Sequence, residues 1–252
     1  PPQLPYTIRR CPCAMLATTV LKSGLLIIAV VAHYVSLTPP CPPSSKGDKV
    51  YRGQLFERVV MFLIDLEKIT VASISIAHVV AMLSISVDYP HDQLVLSYLC
   101  PSPAPRLETL ASLSPAFLFG FSMIMFGSFL RLWCYTALGS QFTYLVTVKP
   151  RHTLVTSGPY KYVRHPSYTG VWLLFLGTYC AFRTPSGYID QCGLMLTPAK
   201  WFVHGCYVLY MFAMLSVVKR GMVEDKLLET AIGKEWLEYR ERVPYRMIPG
   251  IY

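Results

Sequence analysis

Arg220 and Glu224 stand four residues apart, so on a helix they share one face. A guanidinium so placed can hold a carboxylate or phosphate with two parallel hydrogen bonds, and the carboxylate beside it can hold an amine or another cation. The same spacing also fits an ordinary helical ion pair, worth about 0.2–0.5 kcal/mol. A second set lies upstream in "SGPYKYVRHPSYTGVW", residues 157–172. Pro166 suits the first turn of a helix, where its missing N–H is no loss. His165 then falls near the N-cap, and Tyr168 lies three residues on along the same side. Free N–H groups and a partial positive charge gather at such a terminus, which favours an anionic or acceptor-rich group. Tyr160, Tyr162 and Tyr168 also fit an interfacial aromatic belt with a basic anchor. A belt does not account for the Gly158-Pro159 and His165-Pro166 turns between them.

The elements that must carry these residues are apolar. Of 252 residues, 53% are hydrophobic and only 15% are charged, against about 25% charged in a soluble domain. A bilayer span takes about 17–25 residues, and five segments qualify: 14–37, 68–87, 115–138, a short one at 167–182, and 199–218. The fold class is all-α, a polytopic integral membrane protein with about five transmembrane helices. Lys22, in the N-terminal half of the first span, is placed where a lysine can snorkel. Lys and Arg number four in 38–58, one in 88–114, four in 139–166, one in 183–198 and seven from 219 onward. Basic connections face the cytoplasm, so the N-terminus is expected outside and 157–172 on the cytosolic side. Arg9 and Arg10 run against that scheme. The net charge of +9 fits this bias and anionic headgroups, and no basic patch interleaved with aromatics points to nucleic acid. The eight cysteines are scattered without metal-ligand spacing, and no metal site is expected. Cys100 and Cys192 fall in the two basic-poor connections, where a bridge stays open. His78, in mid-span, is a functional candidate, with a packing histidine bonded to a neighbour as the favoured reading.

Two polar segments remain. The 139–166 connection is too long and too aromatic for a simple turn, and long connections of this kind are often functional. After the last span, 219–231 continues as a helix, Gly233 interrupts it, "KEWLEYRERV" resumes, and Pro244 ends it. The chain divides into 1–113, with two spans and Pro-rich connections, and 114–252, with three spans, the long loop and the C-terminal helices.

"HTLVTSGPYKYVRHPSYTG" followed by "EDKLLETAIGKEWLEYRERVP" resembles the isoprenylcysteine carboxyl methyltransferases over about residues 114–252. The RHPxYxG-like element is shared with phospholipid N-methyltransferases and, more weakly, with sterol reductases; "HTLVTSG" and "RVP" favour the isoprenylcysteine branch. The resemblance implies an endoplasmic reticulum membrane enzyme. It would use S-adenosylmethionine to methylate the C-terminal carboxylate of a protein's prenylated cysteine, with membrane lipid as its surroundings. It implies a cofactor pocket lined by His152, Thr153, Leu154 and Val155 and completed by Tyr160, His165, Pro166, Ser167 and Tyr168. Glu224 would contact the cofactor, most plausibly its amino group, and Arg220 would sit by the substrate carboxylate. Two positions depart from the pattern: Thr147 stands where the family can have a cofactor-binding Gln, and Asp225 replaces the second acid of a Glu-Glu pair. A lipid-amine N-methyltransferase and a non-catalytic scaffold of the same fold are the rival readings. The acceptor carboxylate is ionised near neutral pH, with a reference pKa of about 3.3–3.7, so no general base is required. Alignment of oxygen, methyl carbon and sulfur is the work, and Arg220 must not hold the oxygen too tightly as it loses charge.

Overall fold

The computed structural model describes residues 13–40, 49–51, 53–86, 92–102, 107–143, 147–148 and 153–252. Along the chain run α1 (Cys13–Leu37), β1 (Lys49–Val50), α2 (Leu55–Ser86), α3 (Asp92–Leu99), α4 (Leu107–Leu110) and α5 (Pro115–Leu138). They are followed by β2 (Thr147–Val148), α6 (Pro166–Phe182), α7 (Tyr188–Gln191), α8 (Ala199–Ile232) and α9 (Lys234–Arg242). The class is all-α and polytopic. Among the described residues, four helices are long and apolar enough to cross a membrane, those containing α1, α2, α5 and α8. The expected fifth, α6, has 17 residues, about 26 Å at 1.5 Å per residue, short of the roughly 30 Å of a bilayer's hydrocarbon.

The second span is longer than its apolar run. The helix starts at Leu55 rather than near residue 68, and it includes Glu57 and Glu67, both buried. Those acids interrupt the hydrophobic run without breaking the helix, because they face basic side chains inside the bundle. Glu67 stands 3.6 Å from His33 of α1, whose ring also bonds Thr178 of α6 at 2.9 Å. Lys22 does not snorkel. It is fully buried, and its ammonium donates to the carbonyls of Leu110, Ser112 and Ser186 at 2.6, 2.9 and 3.0 Å. His78 packs as expected, bonding the Leu110 carbonyl at 3.1 Å.

Helices α5 and α6 form a tight antiparallel hairpin because glycines face each other across it. A Cβ on Gly120 would lie 2.6 Å from the Gly177 carbonyl oxygen, and one on Gly127 would lie 2.8 Å from that of Gly170. Ser114 caps α5, its hydroxyl accepting from the Phe117 N–H at 3.2 Å. At one end of the bundle β1 and β2 pair antiparallel, Lys49 opposite Val148, which joins the two basic connections. The two basic-poor connections are joined by the Cys100–Cys192 disulfide. Helix α8 has 34 residues, about 51 Å, so its last turns extend past a bilayer's hydrocarbon and carry the polar residues after Lys219.

Candidate functional site

The polar cluster assembles where the α6 N-terminus meets the last turns of α8. Because α8 is continuous through 199–232, Arg220 and Glu224 share a face, and Arg220 Nε donates to Glu224 Oε1 at 3.1 Å. The other side of the guanidinium is held by α2, with NH1 standing 3.4 Å from Glu57 Oε1. The guanidinium carbon lies 5.8 Å from the centre of the Tyr168 ring, and the Tyr168 hydroxyl donates to Glu224 Oε1. Arg220 is therefore a buried cation fixed between two carboxylates and an aromatic face.

His165 is the N-cap of α6, with Pro166 as its first helical residue. Its ring stacks on Tyr168 at 5.4 Å and 11°. Nε2 contacts Asp225 Oδ1 at 2.8 Å and Nδ1 stands 3.4 Å from Glu224 Oε2. Burial alone would lower the imidazole pKa, but hydrogen bonds to Asp225 and Glu224 and their negative charge outweigh it and raise the value above 6.5,. With both ring nitrogens facing carboxylates, the protonated ring donates to each. Gly221 lets the ring lie against α8, since a Cβ there would sit 3.3 Å from His165 Cδ2.

Asp225 gathers three cationic donors: His165, Arg164 NH2 at 3.1 Å and Arg246 Nε at 2.9 Å. Arg164 NH1 also donates to the carbonyls of Val243 and Pro244, each at 3.1 Å. The backbone N–H groups of Arg164 and His165 donate to Tyr245 and Arg246 carbonyls at 3.0 and 2.7 Å, and the Thr169 hydroxyl donates to the Met247 carbonyl at 2.6 Å. The chain after Pro244 is thereby strapped across the start of α6.

The long connection reaches the same place. Tyr160 sits in a single 3-10 turn, Gly158–Lys161, where Gly158 takes φ 61°. Its carbonyl accepts from the Tyr239 hydroxyl of α9 at 2.8 Å, and burial pushes its phenol pKa well above the usual 10. Thr153 is fixed by a reciprocal pair, its N–H donating to Gln141 Oε1 at 3.0 Å and Gln141 Nε2 donating to its hydroxyl at 2.9 Å. Leu154 packs on the small core of Trp236, Tyr239 and Val243. Ser167 accepts from Arg131 NH1 at 3.0 Å, and Arg131 Nε donates to the Ser36 carbonyl at 2.7 Å, tying α1, α5 and α6 together.

One cavity of about 200 Å³ is bordered by Leu154, Val155, Tyr160, His165, Ser167, Tyr168, Arg220 and Glu224. Eight residues singled out from the sequence thus converge on one space. Thr153 is bonded to Gln141 on its wall, Pro166 starts the helix that presents it, and His152 lies outside the described residues. From this polar end the cavity extends between α2, α6 and α8, along Val60, Leu63 and Ile64, Val171 and Phe175, and Ala213 and Val217. The sequence reading missed Glu57, Gln141, Arg131 and Trp236. Glu57 and Arg131 carried a signal there, the first as an acid at the edge of an apolar run and the second as a cation inside the third span. An enclosed cation beside an apolar channel is suited to an amphipathic anion.

Residues 119–189 match the model of the isoprenylcysteine carboxyl methyltransferase family. The chain is 30% identical over 128 residues to protein-S-isoprenylcysteine O-methyltransferase B of Arabidopsis thaliana, covering 50% of this chain and 56% of that protein. It is 32% identical over 142 residues to protein-S-isoprenylcysteine O-methyltransferase of Rattus norvegicus, covering 56% and 43%. A delta(14)-sterol reductase of Mus musculus is 39% identical over 100 residues, covering 39% of this chain and 20% of that protein. The chain spans about half the length of the methyltransferases it matches.

Proposed function

We propose that this chain methylates the C-terminal carboxylate of a prenylated cysteine, with S-adenosylmethionine as methyl donor, at the cytosolic face of the endoplasmic reticulum membrane. The observation that supports this best is a single cavity that runs from Arg220 and Glu224 into an apolar channel lined by Leu63, Ile64 and Phe175. A carboxylate joined to a hydrocarbon tail matches both ends. The similarity of residues 119–189 to methyltransferases of this specificity points the same way. Residues 114–252 form the methyltransferase region in this reading, with α2 of the N-terminal part closing one wall.

The donor set suits S-adenosylmethionine. The Glu224 carboxylate borders the cavity with the aromatic walls of Tyr160 and Trp236, a surrounding for an amino group and a heteroaromatic ring. Leu154, Val155, His165 and Tyr168 complete that end, and His152, Thr153, Pro166 and Ser167 stand in the proposed cofactor set with them. When bound, the cofactor supplies an electrophilic methyl group on a sulfonium. Arg220 directs the acceptor carboxylate by charge and hydrogen bonding. The acceptor is already anionic, so none of these side chains has to remove a proton. Val171, Ala213 and Val217 exclude water beside the polar end, which leaves the carboxylate less solvated and more reactive. A lipid ammonium would instead need to shed a proton beside the Arg220 cation.

The test is methyl transfer from labelled S-adenosylmethionine to N-acetyl-farnesylcysteine, with its methyl ester and phosphatidylethanolamine as rival acceptors. Transfer to the free acid alone is expected. Transfer to phosphatidylethanolamine with none to the free acid would move the reading to lipid-amine methylation.

A further inference from the structure

We infer that Glu57 restrains the grip of Arg220 on the acceptor carboxylate, weakening its binding and speeding its methylation. The inference rests on the carboxylate methylation proposed above. Glu57 comes from α2, outside the family-matched residues 119–189, and reaches Arg220 NH1 at 3.4 Å while Glu224 holds Nε at 3.1 Å. The side chains of Glu57 and Arg220 are 1% and 5% exposed, so their fields act with little screening by water. Its neighbours Phe56 and Val60 border the cavity, which places the acid behind the wall that an acceptor would meet.

The chemistry gives this arrangement a consequence. Arg220 is shared between two carboxylates, and the His165 ring that also faces Glu224 is shared with Asp225, so an incoming carboxylate meets a guanidinium already engaged. In the reaction a carboxylate oxygen forms a bond to the methyl carbon as the carbon–sulfur bond breaks, and that bonding pair stays on sulfur. The products are a neutral ester and a neutral thioether, and no proton moves. Negative charge on the acceptor therefore falls on the way to the transition state. A site that binds the full anion too well would lower its ground state more than its transition state and slow turnover. The Glu57 carboxylate opposes that, acting on the charged ground state most strongly.

The test is steady-state kinetics of Glu57→Gln with N-acetyl-farnesylcysteine at saturating S-adenosylmethionine. Gln has nearly the same shape as Glu and Glu224 still holds Nε at 3.1 Å, so the guanidinium keeps its place while the charge is lost. KM and kcat are both expected to fall, each roughly tenfold, the scale of one charge-assisted contact. A joint fall is the signature of removed ground-state destabilisation, and a structural role would not produce it. A rise in KM, a fall in kcat alone, or no change in either overturns the inference. Should Glu57→Gln not fold, Glu57→Asp keeps the charge but withdraws it by one methylene. Both constants should then fall by a smaller factor, and a raised KM again refutes the role. Wild-type protein inactive on prenylcysteine would instead sink the carboxylate reading itself.

Discussion

Replacing Asp225 with Asn should destabilise the protein severely, because it removes the charge on which three cations converge. His165, Arg164 and Arg246 approach its two oxygens at 2.8 to 3.1 Å, and the side chain is only 7% exposed. Hydrogen bonds to charged groups contribute about 1.5–3 kcal/mol each, but three of them do not add. The Arg246 side chain is 33% exposed, so its contact is screened, and the Asn oxygen keeps one acceptor. Breaking a buried ion pair from one side costs about 3–5 kcal/mol, much of it from the cations left behind. That range is the expectation here, since Arg164 keeps its bonds to the Val243 and Pro244 carbonyls while losing its counter-charge. For a chain of this size it corresponds to a fall in Tm of roughly 6–20 °C. Tryptophan fluorescence during thermal unfolding in detergent reads it, as Trp236 is buried beside Tyr239 in the core under the strap. Limited proteolysis should at the same time cut 243–252 faster than in wild type. A fall in Tm under about 2 °C, with the strap still resistant, would refute the idea that Asp225 pins the C-terminal segment to the start of α6.

His165 should make stability fall with rising pH. Its folded pKa is raised above 6.5, so its contribution is full below about 6.5 and is lost as pH rises through the higher folded value; the fall in Tm over that alkaline range should vanish in His165→Gln, and an unchanged slope would exclude His165 as its source. Glu224→Gln should weaken S-adenosylmethionine binding, measured by calorimetry, while the protein stays folded, because Tyr168 and Arg220 retain an oxygen to bond; unchanged affinity would remove Glu224 from the proposed cofactor set. Arg220→Lys keeps the charge but cannot bridge Glu57 and Glu224 with separate nitrogens. It should lower prenylcysteine turnover by about 1.5–3 kcal/mol, roughly ten- to over a hundredfold, with a smaller loss of cofactor affinity; equal losses of both would show that Arg220 does not act on the acceptor.

The residues legible in the sequence are those whose relation is local. Four residues on a helix bring Arg220 to Glu224, and a His-Pro pair starts a helix with His165 at its N-cap; both hold in the structure because α8 is continuous and α6 begins at Pro166. Hydropathy found the apolar part of each long helix for the same reason, since lipid selects the outward faces residue by residue. It failed where a charge faces inward. Glu57 and Glu67 look like the end of an apolar run, yet each is buried near a basic partner on another helix, Arg220 and His33, and no spacing in the sequence couples such distant positions. Lys22 misled in the same direction: its ammonium ends on carbonyls from two other segments, so it turns into the bundle instead of out to the headgroups. A membrane helix tolerates an ionisable residue only where a partner is supplied inside the fold or water is near. Each acid or base inside an apolar run therefore implies an unseen partner, and the absence of a local candidate is itself a sign that the partner is tertiary. By that logic an acid such as Glu57, with the apolar Val60 and Met61 one turn on, points to a tertiary partner, and Arg220 of α8 is one.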